Sequence, residues 1–378
     1  MKLAESRPIK DYCLGIFDGP HATPEESHDG PIFLGIKNIT EDGQLDLSEI
    51  RHVSEEEYPR WTRRVTPQHG DVVFTYEATL HRYAIIPEGF RGCLGRRVAL
   101  VRPNPGQADS RYLLYFFLSR NWRNVVESSV ITGATVDRVP LEKFPSFPAA
   151  LPRLDVQQQI AGVLSAYDDL IENNRRRMAL LEEAARQLYH EWFVRLRFPG
   201  HEHTRITNGV PEGWERVPLG NLVTLNYGKA LKAEDRADGH CPVYGSSGIV
   251  GMHEKALAAA PGIIVGRKGN VGSVYWCPKD YWPIDTVYFI DAETSNLWLF
   301  YALRHMHFIS TDVAVPGLNR DFAYSRPLLV PEPRIVRDFL ETAVPLHEQI
   351  AKLDEMNKKL RAARDLLLPR LMSGEIAA

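Results

Sequence analysis

The sequence predicts an α+β fold: two mixed α/β domains in tandem repeat, separated by two long helices that pair as a coiled coil. Three observations carry that expectation. Apolar residues recur every three or four positions over Leu154–Val194 and again over Arg334–Leu371. Short β-like runs, punctuated by Gly and Pro, precede each of those segments. Matching landmarks recur along the chain at a nearly constant offset.

Residues 1–150 read as the first domain. Its β-like runs are Pro31–Ile39, Asp71–Tyr76, Ala84–Ile86 and Arg97–Arg102, and Ser110–Ser119 (SRYLLYFFLS) reads as a short buried helix. Gly133-Ala-Thr-Val-Asp137 and a proline-rich exit (Pro140, Pro145, Pro148, Pro152) close it.

Residues 151–198 hold the first long helix. Pro152 ends the preceding segment, and Asp155 with Gln158 reads as a capping box. Ile160, Leu164, Tyr167, Ile171, Met178, Leu181, Ala185, Leu188 and Trp192 form the seam, with Asn174 in its one vacant position. Roughly 40 residues make a helix about 60 Å long, whose apolar stripe needs a partner.

Residues 199–332 contain a breaker-rich linker (Phe198–Gly209) and the second domain. Its β-like runs are Ile263–Val265, Ser273–Trp276 and Thr286–Ile290, and its buried helix is Leu297–His305 (LWLFYALRH). Gly317-Leu-Asn-Arg-Asp321 and the prolines Pro327, Pro331 and Pro333 follow. Residues 333–378 supply the partner helix. One seam row is Val336, Ala343, Ile350, Asn357, Arg364 and Leu371; the other is Phe339, Leu346, Leu353, Leu360 and Leu367. Pro345 is expected to kink or interrupt it. Asn174 and Asn357 are expected to fix register as buried amides. The competing account is two amphipathic helices packed on separate cores.

Gly317 lies 184 residues after Gly133, and Pro333 lies 181 after Pro152, so the repeat is about 182 residues long. At 378 residues, with 44% hydrophobic content, the chain has room for two domains. No apolar run reaches the roughly 18 residues of a membrane span, and the N-terminus lacks a signal-peptide core. Cys13, Cys93, Cys241 and Cys277 form no CxxC pair and are expected to be reduced thiols of a cytoplasmic protein. The net charge of −3 directs any nucleic-acid reading to local basic faces.

A catalytic or metal site is not expected. Gly266-Arg-Lys-Gly-Asn-Val-Gly272 is neither GxGxxG nor a Walker A loop and reads as a tight turn. His201 and His203 lack further metal ligands in register. No FxGxG or [DN]PP[YF] segment is present, which argues against a self-contained adenine methyltransferase, and Pro278-Lys-Asp280 has no partner carboxylates for a nuclease centre. Donor-rich loops are the better candidates, since Arg, Lys, Asn, Ser and Thr bond base edges and phosphates. In the first domain they are Lys37, Asn38, Thr75, Tyr76, Thr79, His81 and Arg82. In the second they are Tyr244, Ser246, Ser247, Arg267, Lys268, Asn270, Asn319 and Arg320. Arg91, Arg96, Arg97 and Arg102 are candidates for phosphate contacts. The alternative is that all are solvated loop residues.

Several segments resemble the specificity subunit of type I restriction–modification systems. They are LPRLDVQQQIAGVLSAYDDLIENNRRRMALLEEAARQLYHEWFV (Leu151–Val194), NKKLRAARDLLLPRLMSGEI (Asn357–Ile376), VPEGWERVPLGNLV (Val210–Val223) and PGIIVGRKGNVG…PIDTVYFI (Pro261–Ile290). The resemblance implies two target-recognition domains held apart by two conserved antiparallel helices, each domain reading half of a split site in double-stranded DNA. It also implies docking of two methyltransferase (modification) subunits, which bring S-adenosylmethionine, and of restriction/translocase subunits using ATP and Mg. The chain itself would hold no cofactor or metal and catalyse nothing. Two other classes compete: a coiled-coil scaffold binding only proteins, and a stand-alone DNA methyltransferase or nuclease.

Overall fold

The computed structural model describes residues 5–132, 136–308 and 317–377. The chain divides into two compact units, residues 1–172 with 357–378, and residues 173–356. Each unit takes one globular domain and a portion of both long helices.

In the first unit the apolar runs become a four-stranded antiparallel sheet, ordered Cys13–Asp18, Val98–Pro103, Val72–Thr75, Tyr83–Ile85. Val72–Thr75 is buried at every position, because both faces of the sheet are covered. Val72 and Phe74 join a core with Phe117, Trp122 and Phe144, whereas Val73 packs with Leu34, Ala84 and Leu100 in another. The helix Ser110–Leu118 belongs to the first of these cores and is capped by Asp109, whose carboxylate accepts the Tyr112 N–H at 2.9 Å. The buried Trp122 indole donates to the Tyr83 hydroxyl at 3.1 Å, so neither polar atom is orphaned. A second sheet orders Arg51–His52, Ser27–Leu34 and Gly92–Leu94, the last pair parallel. Arg7–Pro8 pairs with Pro148–Ala149 and ties the domain's entrance to its exit.

The second unit repeats this sheet plan. Its four-stranded sheet orders Asn226–Tyr227, Val287–Ile290, Gly262–Gly266, Val274–Cys277. Its three-stranded sheet orders Gly248–His253, Cys241–Gly245, Trp282–Pro283, again with the last pair parallel. Glu215–Pro218 with Pro327–Val330 forms the equivalent tie. The helix Leu297–Met306 is capped by Asn296, which accepts from the Leu299 N–H at 3.0 Å.

The long helices run Leu154–Tyr189, continued by a π-turn at His190–Val194, and Pro333–Ser373. Every named seam residue is buried or half-buried, including Ile160, Leu164, Tyr167, Ile171, Met178, Leu181 and Leu188, and Ile350, Leu353, Leu360 and Leu367. In the first unit Asn357 donates to the Ile171 carbonyl at 3.3 Å, Arg364 pairs with Asp168 at 2.6 Å, and Leu371 shares a core with Ile160 and Leu164. Rising numbers on one helix meet falling numbers on the other, so the pairing is antiparallel. Asn174 is likewise buried.

Several expectations change. Pro345 does not interrupt its helix, which is continuous through it. The proline lies on the exposed face, where the carbonyl that loses its donor can bond water, and the packing of Phe339 and Ala343 offsets the cost. Asp155 is not the cap: it sits inside the first turn and pairs with Arg153. The run Pro31–Ile39 is a strand only to Leu34 and then a 3-10 turn, Ile36–Asn38. The linker after the first helix is folded, with Phe198 buried against Trp214 and a hairpin of Ile206–Thr207 with Val210–Pro211. Gly133 lies outside the described residues. The bridge Lys268–Gly317 corresponds to Glu77–Arg138, so Gly317 matches Arg138 and that landmark pair was misaligned.

Candidate nucleic-acid interface

The candidate residues fall at equivalent places in the two units. Lys37 and Asn38 follow Ser27–Leu34, just as Ser246 and Ser247 follow Cys241–Gly245. Gly266 pairs with Val287 as Thr75 pairs with Val98, and Val265 with Val274 as Phe74 with Tyr83. The connections 75–82 and 266–273 are therefore the same loop. In each unit a later segment returns beside it: the Val139 N–H donates to the Tyr76 carbonyl at 2.7 Å, the Leu318 N–H to the Arg267 carbonyl at 2.8 Å.

In the first unit, burial removes several candidates from any interface. Asn38 is buried and its amide is spent, donating to the Asp46 and Glu49 carbonyls at 3.0 Å and accepting the Gly35 N–H. Thr75 is buried, and the Tyr76 hydroxyl donates to the Arg96 carbonyl at 3.0 Å. Burial first, then Asp18 and Glu77, pushes the Tyr76 phenol up to about 12. Arg82 donates to the Ile39 carbonyl at 3.3 Å and to Glu41 at 3.4 Å. Lys37 remains exposed with Glu49 at 3.0 Å, and Thr79 is half-buried at the loop tip. His81 lies 3.6 Å from Glu127, and burial lowers its pKa. The arginine group is also largely committed: Arg91 to Glu55, Arg97 to Glu77 at 3.2 Å, Arg102 to Asp71 at 2.7 Å, while Arg96 is exposed.

The second unit brings three of its candidates, Arg267, Asn319 and Arg320, into one cleft. Tyr227, Arg267, Tyr288, Leu318, Asn319, Arg320 and Asp321 line a space of about 260 Å³. The guanidinium carbons of Arg267 and Arg320 lie 5.4 and 5.1 Å from the Tyr227 ring centroid, within cation–π range. Arg267 donates to the Asp285 carbonyl at 2.7 Å, and its buried Nε has no hydrogen-bond partner among the described residues. Tyr288 donates to the Leu318 carbonyl at 3.1 Å, and its phenol is pushed up to about 12, by burial first. Asn319 caps the turn Arg320–Ser325 by accepting from the Phe322 N–H at 3.0 Å. Lys268, Asn270 and Ser247 are exposed at the loop tips, and Ser246 receives the Asn270 N–H at 3.4 Å. Tyr244 is a core residue, buried against Tyr281, and leaves the interface.

A family described as the type I restriction modification DNA specificity domain matches residues 40–183 and again residues 211–321. The chain belongs to this family. Among relatives, the MjaIX specificity subunit of Methanocaldococcus jannaschii is 23% identical over 98% of this chain and 89% of its own length. The HindI specificity subunit of Haemophilus influenzae is 21% identical over 73% and 80%. The crystal structure of a type I restriction–modification S subunit from M. genitalium superposes with a TM-score of 0.56, covering 97% of this chain and 95% of that one at 16% identity. The two matched segments agree with the duplicated topology.

Within this family frame, the residue that sequence reasoning missed is Tyr227, an exposed aromatic at the centre of the cleft. Its signal was present: a tyrosine beside Gly228, amid polar residues, outside any apolar run. Cys13 and Cys93 are pushed up to about 12 by burial, so their thiols stay protonated. Among the described residues no group of three or more His, Cys, Asp or Glu could hold a metal ion, and no helix is long and apolar enough to cross a membrane.

Proposed function

We propose that this chain gives a restriction–modification complex its sequence specificity, each globular domain reading one half of a bipartite site in double-stranded DNA. The observation that carries the reading is one scaffold built twice, with different side chains on the same loops. Two readers of one design and unlike surface are what two unlike half-sites require. The paired helices set the spacer and dock two methyltransferase subunits, and restriction/translocase subunits complete the assembly. The chain makes no bond; S-adenosylmethionine would be brought by the modification subunits, and ATP with Mg used by the restriction subunits. The domains 1–150 and 199–332 are the readers, and Lys37, Thr79, Arg82, Ser246, Ser247, Arg267, Lys268, Asn270, Asn319 and Arg320 are the side chains available to meet DNA.

The test is methylation sequencing of DNA from cells that express the modification subunit with and without this chain. A bipartite adenine-methylated motif that vanishes without the chain is the expected result. A motif that persists without it places specificity elsewhere and leaves a protein-binding scaffold as the reading.

A further inference from the structure

Resting on that DNA-reading role, we infer that Arg320 reads a guanine in the half-site of the second domain, held in position by Tyr227 and Tyr324. The guanidinium carbon of Arg320 lies 5.1 Å from the Tyr227 centroid and 5.9 Å from that of Tyr324. Its side chain makes no hydrogen bond or ion pair with any described residue. A half-buried guanidinium with unused donors, fixed by two aromatic faces at the edge of a cleft, is a preorganised fork. Arg267, also within cation–π range of Tyr227, is instead tied to the Asp285 carbonyl and serves to position that ring.

The choice between a base and a phosphate turns on Asp321, an acidic residue among those lining the same cleft. A carboxylate repels a phosphate. It accepts well, however, from the N4 amino group of cytosine, while an arginine fork donates to guanine O6 and N7. Arg320 and Asp321 together suit the major-groove edge of one G·C pair, with the arginine on the guanine.

The experiment is methylation sequencing with the full chain in its complex, comparing wild type, Arg320→Lys and Arg320→Ala. Arg320→Ala is expected to lose discrimination at a single G·C position of one half-site by about 5- to 150-fold, the range a bidentate arginine–guanine pair supplies, and Arg320→Lys, which lacks the planar fork, to lose part of it at the same position. The other half-site should stay strict, which controls for folding and assembly. A motif unchanged in both variants overturns the inference. So does an even loss over all sites in Arg320→Ala that Arg320→Lys restores, since that is a phosphate contact. In either of those cases the wild-type motif still stands, so the specificity role survives. If the wild-type complex methylates with no bipartite motif, the broader reading fails and this inference with it.

Discussion

The loop at residues 75–82 and its counterpart at 266–273 have the same two left-handed backbone positions and opposite chemistry. In the second domain those positions are Gly269 (φ 77°) and Gly272 (φ 77°); in the first they are Ala78 (φ 68°) and His81 (φ 62°). A side chain in that region costs about 1–2 kcal/mol and persists only where the surroundings enforce it. At the position after the strand, the first domain turns Tyr76 inward, while the second presents Arg267 to a tyrosine-lined cleft. Backbone geometry is therefore the constant of this fold and loop chemistry its variable.

The attachment of each domain to the helix pair shows the same pattern. In the first unit Tyr115 donates to Asp168 at 2.5 Å, and Asp168 holds Arg364 at 2.6 Å. In the second, Tyr301 meets His347 at 2.8 Å and Arg304 meets Glu182 at 2.8 Å. One clamp is built on a half-buried charge pair, the other on an imidazole beside a more exposed charge pair.

The largest effect should come from Arg364→Ala, which leaves Asp168 without its cation in a half-buried site. A loss of about 2–4 kcal/mol, read by denaturant unfolding, is expected; a loss below 1 kcal/mol would show that the clamp is solvated. Gly272→Ala should cost about 2–3 kcal/mol. A Cβ there would sit 2.5 Å from the Phe308 carbonyl oxygen, on top of the unfavourable φ. A cost below 1 kcal/mol would show that the second loop tolerates a side chain there as the first tolerates His81, and that the Phe308 carbonyl gives way.

The His347 clamp predicts a pH dependence of the second unit that is separate from the one His81 brings to the first. Burial holds the His347 pKa below 6.5, with Glu182 opposing and Arg304 reinforcing the shift. Its contribution to stability is whole above about pH 6.5 and is lost as pH falls from there through the lowered value, because the unfolded chain takes up the proton first. Hydrogen exchange in the Leu297–Met306 helix should accelerate over that window, and His347→Gln should reduce the response to the part that His305, whose pKa burial also lowers, supplies. A response left whole by His347→Gln would show that the imidazole is not part of the clamp. The smallest effect belongs to Ala78→Gly, expected to stabilise the first domain by about 0.5–1 kcal/mol through relief of its left-handed strain. A destabilisation measured in the same thermal scan would mean that the Ala78 methyl is packed.

The helices were legible because a seam repeat is written directly in sequence, and all its named positions are buried or half-buried as read. The central strands were legible for a similar reason: unbroken apolar runs such as Val72–Phe74 and Ile263–Val265 must be covered on both faces. The two-residue strands Asn226–Tyr227 and Trp282–Pro283 were not, since they exist only through pairing with distant partners. The donor-rich loops are visible in the sequence of both domains, yet Asn38, Thr75, Tyr76 and Tyr244 read there as surface groups, and the fold buries them. Polar residues carry no periodicity to mark their facing. Their partners, such as the Asp46 and Glu49 carbonyls around Asn38, are set by tertiary contacts.

Two domains of one fold are proposed to read two halves of a site independently. Exchanging residues 1–150 for the corresponding domain of another family member, followed by methylation sequencing of the assembled complex, tests it most directly. The predicted result is a motif with one new half and one unchanged half at the original spacing. A change in both halves, or in neither, would contradict it.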